Sequence, residues 1–261
     1  MDCLKRNREI SQRIADSLKE NPLVEGVMFL GGVARNFADE DSDIDIAVFS
    51  HKKLMDLQVG ECFDEEGNDI EIWNVKLDEG FEEWDQEARE AYSEGVIAFD
   101  RNGLVRDFLD KVLFYSDEAQ VRGYGYRLFH MAWHGFVYSK YRNKFERGYK
   151  WVLPDNLWYK RGNPQNGFVV MQDCAKTLIE TLFVINKAWI PDTKWLWIKS
   201  LKLEYLPKDY ENKMAFILFS EFSDANYPEK CRLFQELLDE SFEVIQDRLP
   251  ENLYSIIDFY D

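Results

Sequence analysis

The chain has 261 residues, 46% of them hydrophobic and 15% aromatic, without a long polar tract. That composition fits one large or two modest ordered domains and excludes a disordered chain. The formal net charge is −17, from 49 acidic and 32 basic residues, which disfavours a long nucleic-acid substrate; such an excess serves solubility or attracts a cationic small molecule.

Residues 5–20 carry Ile10, Ile14 and Leu18 at four-residue spacing among charges, predicting an amphipathic helix that stops near Asn21-Pro22. "LVEGVMFL" reads as a strand broken by a turn at Gly31-Gly32, and "DIDIAVF" as a second strand by strict alternation. "NDIEIWNV" gives a third strand, and a charged helical stretch follows over 79–93. "GVIAFD" is a short fourth strand, closed by the turn "DRNG" and followed by a helix from about Leu104.

From about Asp117 the pattern changes to long, aromatic-rich helical segments over 119–145, 168–189 and 229–249, the mark of a helical bundle. The expected division is 1–115 and 116–261. The connection over 147–167 is long enough to be a candidate lid. The charged N-terminus lacks a signal-peptide core, and no stretch approaches the roughly 18 apolar residues of a membrane span. Cys3, Cys62, Cys174 and Cys231 show no paired spacing. A cytoplasmic protein with reduced thiols and no membrane partner is expected.

Chemistry concentrates between Phe29 and Phe49, "FLGGVARNFADEDSDIDIAVF". Side chains two apart on a strand share a face, so Asp43 and Asp45 point the same way, roughly 6.6 Å apart, while Ile44, Ile46 and Val48 face an apolar layer. Two like charges at the edge of a buried sheet call for a cation, and magnesium prefers carboxylate oxygens. The third strand repeats the pattern: Ile70 and Ile72 face one way, Asp69, Glu71 and Trp73 the other. Glu71 is a candidate third carboxylate. Such a cluster holds two metal ions, or holds one while the third acid deprotonates a nucleophile, and both possibilities stand. Without a Cβ, Gly31 and Gly32 let the backbone approach an anion such as a triphosphate.

The spacing of Gly31-Gly32 and Asp43-apolar-Asp45 resembles the motif of the polymerase-beta-type nucleotidyltransferase superfamily, over roughly the first hundred residues. The resemblance implies an α+β protein: a mixed sheet with flanking helices, followed by the helical bundle. It implies transfer of a nucleoside monophosphate from ATP or another nucleoside triphosphate to a hydroxyl. Asp43 and Asp45 would bind one or two Mg2+ ions, Gly31 and Gly32 would carry the triphosphate, and Glu71 would be third ligand or base. Many members have serine where this chain has Gly32, so a hydroxyl contact to phosphate is absent. Arg35 and Ser42 also look like motif residues; Arg35 either aids the phosphates or is a solvent-exposed arginine.

"NKAWIPDTKWLWIKSL" is similar to a segment of antibiotic nucleotidyltransferases, in which Lys194 would reach the triphosphate; alternatively it is an ordinary surface lysine. The resemblance thus points to an adenylyltransferase of the aminoglycoside or lincosamide resistance kind, monomeric or homodimeric, with a small cationic acceptor. The alternatives are transfer to a protein hydroxyl, as in toxin–antitoxin systems, and a non-catalytic nucleotide-binding module. Asp173 or Glu180 of the helical half could replace Glu71 as base. His130 and His134, four apart, lack a third ligand at a recognisable spacing and read as packing histidines.

Overall fold

In a computed structural model, the structure describes residues 3–52, 54, 60–63, 68–78, 84–123 and 161–248. The chain divides into two compact units, Met1–Phe114 and Tyr115–Asp261.

The first unit opens with α1 (Cys3–Lys19), followed by β1 (Gly26–Phe29), the single turn α2 (Gly31–Ala34) and β2 (Ile44–Ser50). Next come β3 (Gly60–Phe63), β4 (Asp69–Lys76), α3 (Gln86–Ser93), β5 (Val96–Asp100) and α4 (Leu104–Val112). The sheet order is β3-β4-β2-β1-β5. β2 and β4 run parallel while the other neighbours pair antiparallel. The sheet is therefore mixed, with β2 at its centre.

Alternation along β2 sorts its side chains between two apolar layers. Ile44, Ile46 and Val48 join Ile70 and Ile72 of β4 beneath Ile10 and Ala15 of α1. On the opposite face, beyond Asp45, Ala47 and Phe49 are buried with Val105, Phe108 and Val112 of α4. Trp84 and Tyr92 close this second layer, their rings 4.4 Å apart.

Two features of this unit differ from the sequence-based reading. Gly31 and Gly32 begin a turn of helix and not a plain turn, with Gly31 at φ +51°. A fifth strand, β3, occupies the sheet edge; its four residues, "GECF", hold too little alternation to announce it. Of the helical stretch expected over 79–93, 79–83 lie outside the described residues and α3 occupies the rest.

In the second unit, α5 (Pro164–Ile185), α6 (Thr193–Ser200), α7 (Tyr210–Phe219) and α8 (Tyr227–Ile245) precede a 3-10 turn, Gln246–Arg248. Met171, Cys174, Leu178, Leu182 and Ile185 recur on one side of α5 and pack with Met214, Ile217, Phe234, Leu237 and Phe242. Asn163 and Asp192 cap α5 and α6 through backbone N–H groups of Asn166 and Lys194. Lys230 is fully buried in α8, its Nζ donating to the carbonyls of Phe216 (2.9 Å), Ile217 (2.7 Å) and Ser220 (3.0 Å) at the C-terminus of α7. Burial pushes its ammonium below the ordinary lysine value. The stretch from 124 to 160, with His130, His134 and most of the 147–167 connection, lies outside the described residues. Among the described residues, no helix is long and apolar enough to cross a membrane.

Candidate active site

The pairing of β2 with β4 sets Asp45 directly opposite Glu71, on the same face of the sheet. Asp43 stands just ahead of β2, so its position depends on the loop from 35 to 42. That loop is tied down at several points. Ser42 Oγ donates to Asp39 Oδ1 (2.8 Å) and accepts from the Asp39 N–H (2.9 Å). Asn7 of α1, fully buried, donates through Nδ2 to the Ser42 carbonyl in a long contact of 3.5 Å, and Arg8 donates to Asn36 Oδ1. Ser42 thus holds the turn that presents Asp43.

One oxygen each from Asp43, Asp45 and Glu71 lies within 4.8 Å of the others; Asp43 is exposed and the other two half-buried. Hard carboxylate oxygens without nitrogen or sulfur suit a divalent cation of the magnesium type and not zinc. The residues present therefore fit the metal that the sequence pattern implies. Tyr92 of α3 packs edge-on against Phe49, on the Asp45 face of β2. Burial first, and the Asp45 carboxylate second, push its phenol above the ordinary tyrosine value, so it stays protonated at neutral pH.

The glycines have distinct reasons. A Cβ at Gly31 would overlap the Asp45 carboxylate, and the residue's positive φ independently favours glycine. The turn thereby lies against Asp45, whose own carbonyl accepts from the Leu30 N–H (3.0 Å). At Gly32 a Cβ would stand 2.5 Å from the Phe37 carbonyl oxygen, because the chain folds back and the Phe37 N–H donates to the Gly32 carbonyl (2.9 Å). Serine at this position would need that backbone to shift.

Arg35 points to α3. Its Nη2 meets Glu90 Oε2 at 2.9 Å and its Nε meets Glu94 Oε2 at 2.5 Å, with the arginine side chain 15% exposed. It is not a solvent-exposed arginine, and in this structure it braces the glycine turn against α3. Lys194 is exposed in the first turn of α6, and belongs with Asp173 and Glu180 to the second unit. Asp173 is exposed, whereas Glu180 is buried and paired with Lys176 at 3.8 Å. Asn7, Tyr92, Glu90 and Glu94 were not singled out from sequence. Asn7 alone left a signal, a polar residue in line with Ile10, Ile14 and Leu18.

Residues 11–96 match the family model of the nucleotidyltransferase domain. No curated protein matches the chain. Among solved structures, a nucleotidyltransferase-like protein from Exiguobacterium sibiricum 255-15 is similar over 92% of this chain and 75% of its own, at 14% identity and a TM-score of 0.47.

Proposed function

We propose, from the match of residues 11–96 to the nucleotidyltransferase-domain model, that the protein moves AMP from ATP to a hydroxyl of a small cationic acceptor such as an aminoglycoside. The observation that carries the reading is the cluster of Asp43, Asp45 and Glu71 against a turn whose Gly31 leaves no side chain between backbone and carboxylate.

In this reading the glycine turn receives the triphosphate, Asp43 and Asp45 are the residues that would hold Mg2+, and Glu71 beside them is the base. Magnesium supplies neutralisation of the charge that builds on the α-phosphate. Glu71 receives the acceptor's hydroxyl proton as the oxygen bonds to the α-phosphorus and the bond to pyrophosphate breaks. Asp45, tied through its carbonyl to Leu30 at the start of the glycine turn, keeps the cluster in register, so that catalysis is mainly positioning. Arg35 fixes the glycine turn through Glu90 and Glu94. The charge of −17 raises the local concentration of a polycation.

The test is pyrophosphate release with Mg2+ and each of the four ribonucleoside triphosphates, over aminoglycosides, lincosamides and a blank. Acceptor-dependent release that falls by on the order of a thousandfold in Asp45→Asn is expected. Absence of release with every acceptor overturns the small-molecule reading, and a one-nucleotide mass shift on a partner protein would replace it with a protein acceptor.

A further inference from the structure

Trp73 of β4 is 49% exposed, although it follows Glu71 by two residues on the same face of the sheet. Its neighbours are otherwise spoken for. Val75, next on that face, is buried, and Ala47, its partner on β2, is buried and small. The indole therefore stands on the face of the carboxylates with about half of its surface open, and an open indole offers a flat apolar face and a polar N–H to a ligand.

The order of strands decides which reactant it meets. β2 lies between β4 and β1. The glycine turn leaves the end of β1, while Glu71 and Trp73 stand on β4, so the two lie on opposite sides of Asp45. Attacking and leaving oxygens must also lie on opposite sides of the phosphorus in an in-line transfer. With the triphosphate on the β1 side, the acceptor occupies the β4 side.

Building on the function proposed above, we infer that Trp73 is an acceptor-contact residue: the indole is the platform on which a ring of the acceptor stacks while its hydroxyl faces Glu71. The spacing suits this, since Trp73 lies roughly 6.6 Å along the strand from Glu71, about the width of one six-membered ring. An indole face accepts the C–H face of a saccharide or a planar ring, and it attracts an ammonium group carried by that ring. The acceptor class selected is a ring-bearing cation and not an acyclic one. Trp73 sets specificity without taking part in proton transfer.

The test uses the full chain labelled with 5-fluorotryptophan, the Trp73 resonance being assigned from Trp73→Phe. The probes are kanamycin and lincomycin as ring cations, spermidine as an acyclic cation, and α,β-methylene-ATP with Mg2+. Kanamycin or lincomycin is expected to move the Trp73 resonance, while spermidine and the nucleotide leave it in place. In steady state, Trp73→Ala raises the acceptor KM about tenfold with the ATP KM unchanged within about twofold, and Trp73→Phe recovers most of the loss. A resonance that responds to the nucleotide alone, or to none of the cations, overturns the inference. An unchanged acceptor KM in Trp73→Ala does the same. The resonance needs no turnover, so it judges Trp73 even if wild-type protein releases no pyrophosphate, the result that would overturn the small-molecule transferase reading.

Discussion

The two units treat charge in opposite ways. In the second, Lys230 is wholly buried, and three carbonyls at the end of α7 receive its ammonium hydrogens. In the first, three carboxylates with the same sign are drawn within 4.8 Å of one another and left at least partly open to solvent. A buried charge matched to fixed carbonyls is accommodated by the fold itself; like charges gathered at an open edge work against it and suit a cation.

The sharpest way to break this contrast is to remove one charge from each unit. Lys230→Met takes the ammonium from the Ile217 and Ser220 carbonyls, while the Phe216 carbonyl keeps its Ser220 donors, and is expected to lower the unfolding free energy by about 3 kcal/mol, measured by urea denaturation. Asp45→Asn, measured without divalent ions, is expected to change it by less than about 1 kcal/mol. Equal losses would erase the distinction. The lysine also predicts a pH dependence. Its folded pKa is lowered, so between that value and about 10.4 the unfolded chain binds the proton more readily and stability rises with pH. The wild-type advantage over Lys230→Met is therefore smallest below the lowered pKa and grows towards about pH 10.5.

A ligand sharpens the comparison from the other side. Mg2+ at one hundred times its dissociation constant should stabilise the wild type by about 2.7 kcal/mol and raise its Tm, and Asp45→Asn should lose most of that gain. No rise in the wild type would remove the metal from the reading.

Backbone changes at the turn come next. Gly31→Ala forces a Cβ into a positive φ and onto Asp45, at an expected cost of about 2 kcal/mol in stability together with lost Mg2+ response. Gly32→Ser should cost about 1 kcal/mol, because its Cβ meets the Phe37 carbonyl; a stabilised variant with tighter triphosphate binding would show that the turn yields freely. The smallest effect expected is Arg35→Lys, also about 1 kcal/mol or less. A lysine keeps the charge but cannot reach Glu90 and Glu94 together as the guanidinium does.

Much of the site was legible because strands alternate with period two. "DIDI" and "DIEI" display which acids share a face with which, and Ile44, Ile46, Ile70 and Ile72 mark the layer under α1. The pairing of Asp45 with Glu71 was not legible, since register between distant strands depends on tertiary packing. The same holds for Arg35: its partners lie on α3, and nothing local distinguishes Glu90 or Glu94 from the other acids there. α7 escaped notice because "YENKMAFILF" ends in a continuous apolar run, with Phe219 exposed, and so shows no stripe.

The parallel pairing of β2 with β4 also bears on how the chain folds. Gly31, Asp43 and Asp45 lie on or beside two sequence-adjacent antiparallel strands, whereas Glu71 reaches the cluster only after the chain has crossed over to lie parallel to β2. Local antiparallel contacts close sooner than parallel ones, which must first close a longer loop. The glycine turn and two aspartates thus form a unit that can nucleate early, with Glu71 and Trp73 delivered afterwards on one strand. Insertions between 51 and 68 are expected to slow that last step and leave the first unchanged, so the β4 side of the cluster is completed last.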